Sequence, residues 1–149
     1  MNQADKTRAI EFLISGRNID VFPAAPHVES MNRFQKLVAE AKKNITEISP
    51  AEAQEQTERG DAVLIDVREE EDWRDDHAKG AKHLDRGSIE LEIEEQVPDL
   101  KTPIICYCGG GSRSALVAES LQKMGYENVR SMAGGFRAWK ETGLPGAKE

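Results

Sequence analysis

The apolar run Pro103-Ile104-Ile105-Cys106-Tyr107 ends at Cys108, which is followed by three consecutive glycines and then by a segment with helical apolar spacing. That order dictates a strand, a tight loop and a helix in succession. A short run of apolar residues suits a strand buried on both faces, as in parallel sheets. Leu116, Val117, Leu121 and Met124 recur at helical intervals before Gly125, so a helix begins near Ser112. The glycines let backbone N–H groups turn inward, and the helix start adds its positive end to the same loop. Both effects favour thiolate over thiol at Cys108, and the thiolate is the reactive species.

The alternation continues along the chain. Ser49-Pro50-Ala51-Glu52 reads as a capping box with proline at the first helical position, and Gly60 can end that helix. Ala62 to Asp66 suits a buried strand, and Glu69 to Asp76 an acidic helix. An extended piece follows around Lys82 to Leu84, then a helix near Ile89 to Gln96. Glu127 to Ser131 forms a further strand, and Gly134-Gly135 turns into a last helix holding Phe136 and Trp139. Strands alternating with helices imply an α/β fold with a central, mainly parallel sheet and helices on both faces. Ligands in such sheets bind at the carboxyl ends of strands, where Cys108 sits.

This unit spans residues 45–149, and residues 1–44 form a helical N-terminal extension. Pro23 and Pro26 divide the extension into two helices. In the second, Met31, Phe34, Leu37, Val38 and Ala41 share one face, with Ser30 as N-cap. That face packs on the domain or, alternatively, forms a homodimer contact.

At 149 residues with 38% hydrophobic and 32% charged side chains, the chain has the make-up of one soluble domain. A net charge of −7 speaks against nucleic acid and anionic membrane surfaces as partners. No window approaches a membrane span. Asp5, Arg8 and Glu11 interrupt any signal-peptide core. The two cysteines, Cys106 and Cys108, are poorly placed to bridge, which fits a reducing, cytoplasmic setting. The three histidines, His27, His77 and His83, lack ligand-like spacing, so no metal is expected.

Four segments, in order and in spacing, resemble the rhodanese family of sulfurtransferases over residues 45–145. They are Leu64-Ile65-Asp66-Val67-Arg68, then Trp73, His77, Gly80 and Ala81, then the loop from Tyr107 to Ser114, and finally Gly134-Gly135-Phe136-Arg137-Ala138-Trp139. The chain departs from the family pattern at Asp76, Ala78 and Cys106, none of which is the nucleophile. The resemblance implies a single-domain rhodanese-like fold in which the Cys108 thiolate takes a sulfane sulfur from thiosulfate or a persulfide. The Cys108 persulfide then passes it to a thiol or to cyanide. That is covalent catalysis without metal or organic cofactor. Dual-specificity phosphatases, on a related fold, use Cys-x5-Arg; the Cys-x4-Arg of Cys108 to Arg113 makes a narrower anion cradle, suited to sulfur. The alternative is a rhodanese-like module that regulates or binds a sulfur carrier without turnover.

Further roles follow from chemistry and the resemblance together. Gly109, Gly110, Gly111, Ser112 and Arg113 would cradle the substrate. Arg113 opposes the helix dipole, which an anionic substrate would compensate. Arg86, placed near the site by the resemblance, could touch substrate or simply face solvent. Asp66 and Arg68 are expected to pair and support the loop, because lone buried charges are costly. His77 is expected to be structural, Trp73, Phe136 and Trp139 to be core aromatics, and Cys106 a small core residue. The acidic run from Glu69 is expected to form a solvated helix face or, alternatively, a docking patch for a basic partner.

Overall fold

The computed structural model describes residues 30–148. In chain order its elements are α1 (Arg33–Lys42), β1 (Thr46–Ile48), α2 (Pro50–Glu58), β2 (Val63–Asp66), α3 (Glu70–Asp75), β3 (His77–Ala78), β4 (Lys82–His83), α4 (Ile89–Gln96), β5 (Ile104–Tyr107), α5 (Ser112–Lys123), β6 (Val129–Met132), α6 (Gly135–Glu141) and β7 (Gly146–Ala147). Five strands form one sheet in the order β1-β6-β5-β2-β4, and every neighbouring pair is parallel. The remaining two, β3 and β7, make a two-residue antiparallel pair. Parallel neighbours need crossover connections, which the intervening helices supply.

β5 lies at the centre with all four residues buried. Its side chains alternate between two apolar layers, as a pleated strand requires. Ile104 and Cys106 join Ile65, Ile89, Ile93, Val117 and Leu121 on the α4–α5 side. Ile105 and Tyr107 join Leu64, Ala53, Phe136 and Trp139 on the α2–α6 side. Helices therefore cover both faces, and the loop after β5 is held between them. Among the described residues no helix is long and apolar enough to cross a membrane.

The compact unit carrying the sheet runs Asn32–Glu149, so it includes α1. The N-cap of α1 is Asn32, not Ser30. Its side chain accepts the Gln35 N–H at 2.8 Å, while Gln35 Oε1 accepts the Asn32 N–H at 2.9 Å, a reciprocal pair that fixes the helix start. Only part of the expected stripe is covered. Val38 and Ala41 are buried, whereas Phe34 and Leu37 remain 45% and 56% exposed. Asn44 Nδ2 donates to Glu119 Oε2 at 2.9 Å, joining the end of α1 to α5. The first extension helix and the break at Pro23 and Pro26 lie outside the described residues.

Candidate active site

The turn from β5 into α5 places a sulfur atom among backbone donors. Cys108 is 2% exposed, and its Sγ accepts the N–H of Gly111 at 3.1 Å and of Ser114 at 3.3 Å. The Ser114 hydroxyl lies 3.5 Å from the sulfur and 2.8 Å from the Ser131 hydroxyl on β6. Both serines are fully buried, so their hydroxyls must find partners within the protein, and Ser131 holds the Ser114 hydroxyl beside the sulfur. Gly111 reaches φ +99°, a left-handed turn that brings its N–H back onto the sulfur at the start of α5.

Burial by itself opposes ionisation of Cys108. The Ser114 hydroxyl and the N–H groups of Ser114, Gly111 and Gly110 more than offset it and hold the thiol below its ordinary range. Cys106, on the same strand face, has the burial without the donors. Burial first, and the neighbouring Cys108 second, push its thiol up to about 12. The two buried thiols are therefore shifted in opposite directions by their surroundings.

The last helix shapes the loop from outside. Phe136 N–H donates to the Cys108 carbonyl at 2.8 Å, and Arg137 N–H to the Gly109 carbonyl at 3.1 Å. These bonds turn two carbonyls outward and leave the N–H groups of Gly110, Gly111 and Ser114 directed inward. Beneath the loop, Arg68 Nη2 meets Asp66 Oδ2 at 2.9 Å and Arg68 Nε bonds both carboxylate oxygens at 3.1 Å. Both residues are buried. Burial disfavours the Arg68 charge, but Asp66 outweighs it and holds the guanidinium above its ordinary value. Arg68 Nη2 also caps the Asp76 carbonyl at 2.7 Å, and its guanidinium lies 4.5 Å over the Phe136 ring. The ion pair thus supports both the turn after α3 and the helix that grips the loop.

The proposed contact residues divide. Gly109, Gly110 and Gly111 form the loop, and Ser112 and Arg113 open α5. Arg113 Nη1 meets Glu69 Oε2 at 2.8 Å, so its charge is compensated within the chain. Arg86 is exposed, with its N–H on the Val67 carbonyl. The sequence reading overlooked the roles of Ser114, Ser131 and Arg137. A serine between Arg130 and Met132 on a strand was the available signal for Ser131. The guanidinium of Arg137 lies against the loop, its Nη1 3.7 Å from where a Cβ on Gly110 would stand.

The acidic residues Glu69 to Asp72 and Asp75 are exposed, as a solvated helix face should be, but the aromatic residues divide. Trp139 and Phe136 are buried, but Trp73 is half-buried and stacks between His77 at 3.4 Å and His83 at 5.1 Å. His77 Nδ1 donates to the Trp73 carbonyl and His83 Nε2 to the Arg68 carbonyl, each at 2.7 Å. Asp76, where the family pattern has glycine, has extended backbone at φ −172° and pairs with Lys140 at 2.8 Å. Nothing there demands a glycine.

Comparison with known proteins extends these observations. The family model described as "Rhodanese-like domain" matches residues 49–142. The thiosulfate sulfurtransferase GlpE of Haemophilus influenzae strain PittEE is 43% identical over 99 residues, covering 66% of this chain and 91% of that protein. The Wolinella succinogenes polysulfide-sulfur transferase, described as a homodimer, superimposes with a TM-score of 0.68 at 29% identity, covering 78% of this chain and 88% of its own. A Rhodopseudomonas palustris protein of unknown function, described as a "Possible Tyrosine Phosphatase", superimposes with a TM-score of 0.67 at 30% identity, covering 82% of this chain and 98% of its own.

Proposed function

This chain belongs to the rhodanese-like domain family, and we propose on that premise that it is a thiosulfate sulfurtransferase working through a persulfide on Cys108. The observation that carries the reading is the set of donors on Sγ, which lowers the thiol's pKa at a buried position. The Cys108 thiolate attacks the outer sulfur of thiosulfate; the S–S bond of the donor breaks and sulfite leaves with its electron pair. The resulting Cys–S–S⁻ keeps its negative charge within reach of the inward N–H groups of the loop, which act as oxyanion donors do in acyl transfer. Cyanide or a thiolate then attacks the outer sulfur, and the Cys108 thiolate is the leaving group. The charge never needs a general base, and His77, engaged with Trp73, is not asked to be one.

The name carried by the Rhodopseudomonas neighbour raises phosphoryl chemistry. Cys108 to Arg113 spans one residue fewer than a Cys-x5-Arg cradle. The shorter loop and the Arg113–Glu69 pair favour a single anionic sulfur over a phosphate. A non-catalytic module would have no use for a lowered thiol pKa at a buried position.

The two cysteines are free and buried, which suits a reducing, cytoplasmic setting. A homodimer through the extension draws support from the exposed Phe34 and Leu37 of α1 and from the homodimeric Wolinella relative; sedimentation of the full chain tests it. For the chemistry, steady-state transfer from thiosulfate to cyanide should give parallel double-reciprocal lines, the signature of a ping-pong enzyme. Intersecting lines, or turnover by Cys108→Ser, would exclude the covalent route.

A further inference from the structure

We propose that Arg137 sets the preference of this site for anionic sulfur donors, an inference that rests on the sulfurtransferase reading. The loop itself offers little selectivity. Gly109 and Gly110 have no side chains, and a Cβ on Gly109 would meet nothing within 4 Å, so the mouth of the site is open at that residue. Any charge that an incoming donor feels there must come from side chains around the loop. Three of these are already committed: Arg68 is bound to Asp66, Arg113 to Glu69 and Lys140 to Asp76. Arg86 is also exposed without an ion pair, but among the described residues no side-chain hydrogen bond ties it to the loop. Arg137 is exposed and, among the described residues, has no ion-pair partner.

Its placement is fixed from the backbone. The Arg137 N–H donates to the Gly109 carbonyl at 3.1 Å, and its Nη1 stands 3.7 Å from the Cβ position of Gly110. Gly110 immediately precedes the glycine whose N–H binds Sγ. An anion whose outer sulfur has reached Cys108 therefore places its remaining charge in the field of this guanidinium. In a chain of net charge −7, an uncompensated cation at the mouth is what would draw an anion in. The five N–H donors of a guanidinium suit the paired oxygens of a sulfonate or carboxylate.

Charge also fixes how the effect scales. The attraction grows with the charge of the partner, so the logarithm of the rate change doubles from a monoanion to a dianion. The test uses the full chain and Arg137→Gln, Arg137→Glu and Arg137→Lys, none of which removes the backbone N–H to Gly109. Two readouts are compared at low and moderate salt: kcat/KM for thiosulfate, and the rate of Cys108 alkylation by iodoacetate relative to neutral iodoacetamide, followed by mass. For Arg137→Gln the iodoacetate-to-iodoacetamide ratio should fall about threefold and thiosulfate kcat/KM about tenfold, with Arg137→Glu further down, Arg137→Lys largely restored and salt shrinking all differences. An unchanged ratio, or an equal fall with both alkylating agents, overturns the proposal. If wild type fails to turn over thiosulfate while the ratio still falls in Arg137→Gln, Arg137 is upheld as the anion-selecting residue and the sulfurtransferase reading is what fails.

Discussion

The backbone at Gly135 passes so close to Cys108 that a Cβ on residue 135 would stand 2.5 Å from the Cys108 carbonyl oxygen and 2.7 Å from that of Gly109. This approach is what allows the first N–H groups of α6 to hold the loop carbonyls outward. Gly135 also adopts φ +59°, so a side chain there is strained as well as obstructed. Gly135→Ala should cost about 2 kcal/mol or more, since the left-handed backbone alone costs roughly 1–2 kcal/mol. Urea unfolding measures it. Gly109→Ala, with open space at its Cβ, should change stability by less than about 0.5 kcal/mol in the same experiment.

The hydroxyl chain from Ser131 through Ser114 to the sulfur predicts a pH effect. Ser114 helps to stabilise the ionised form of Cys108, whose pKa is lowered. Removing the donor raises that pKa, so the rise of reactivity with pH moves to more alkaline values. Ser114→Ala should shift the pH–rate profile for iodoacetamide alkylation upward by about one unit, the equivalent of a hydrogen bond to a charged group at roughly 1.4 kcal/mol. Ser131→Ala should shift it in the same direction by less. A downward shift in either variant would assign the hydroxyls another role.

Glu69 restrains a charge that the site could use. Its carboxyl is held below its ordinary range, first by a hydrogen bond with its own backbone and next by Arg113. Glu69→Gln should release Arg113 and raise kcat/KM for thiosulfate by about threefold, a single screened charge at a partly exposed position. Stability should move by less than about 0.5 kcal/mol, because the pair is 31% and 61% exposed on its two sides. The gain should vanish at low pH, where the wild-type carboxyl is itself protonated.

Asp66 and Arg68 should behave as a unit. Arg68→Met leaves a fully buried carboxylate with no cation and should cost about 3–5 kcal/mol in denaturant unfolding. Adding Asp66→Asn should recover a good part of that loss, a non-additive pair by a double-mutant cycle. Additive losses would mean that the two side chains act separately.

How far the sequence led can be traced in particular residues. Ile104 to Tyr107 is apolar at every position and was legible as a strand, and the glycines after Cys108 announced the loop. By contrast Thr46–Ile48 and the His77–Ala78 and Gly146–Ala147 pair are too short to show a period, with burial at only one, two and none of their positions. The pairing of Asp66 with Arg68 followed from the cost of burying either alone. The pairing of Arg113 with Glu69 joins residues 44 apart in the chain, and no local pattern announces it. Arg137 was visible in the sequence only as part of a closing motif; its place beside Gly110 depends on how α6 folds back over the loop.

Intact-protein mass spectrometry of wild type and Cys108→Ser, incubated with thiosulfate and then with cyanide, tests the persulfide on Cys108 most directly. Wild type should gain the mass of one sulfur atom and lose it to cyanide, while Cys108→Ser gains nothing. A sulfur that persists on Cys108→Ser would move the chemistry to Cys106, and no gain on wild type would contradict a thiosulfate-derived persulfide on Cys108.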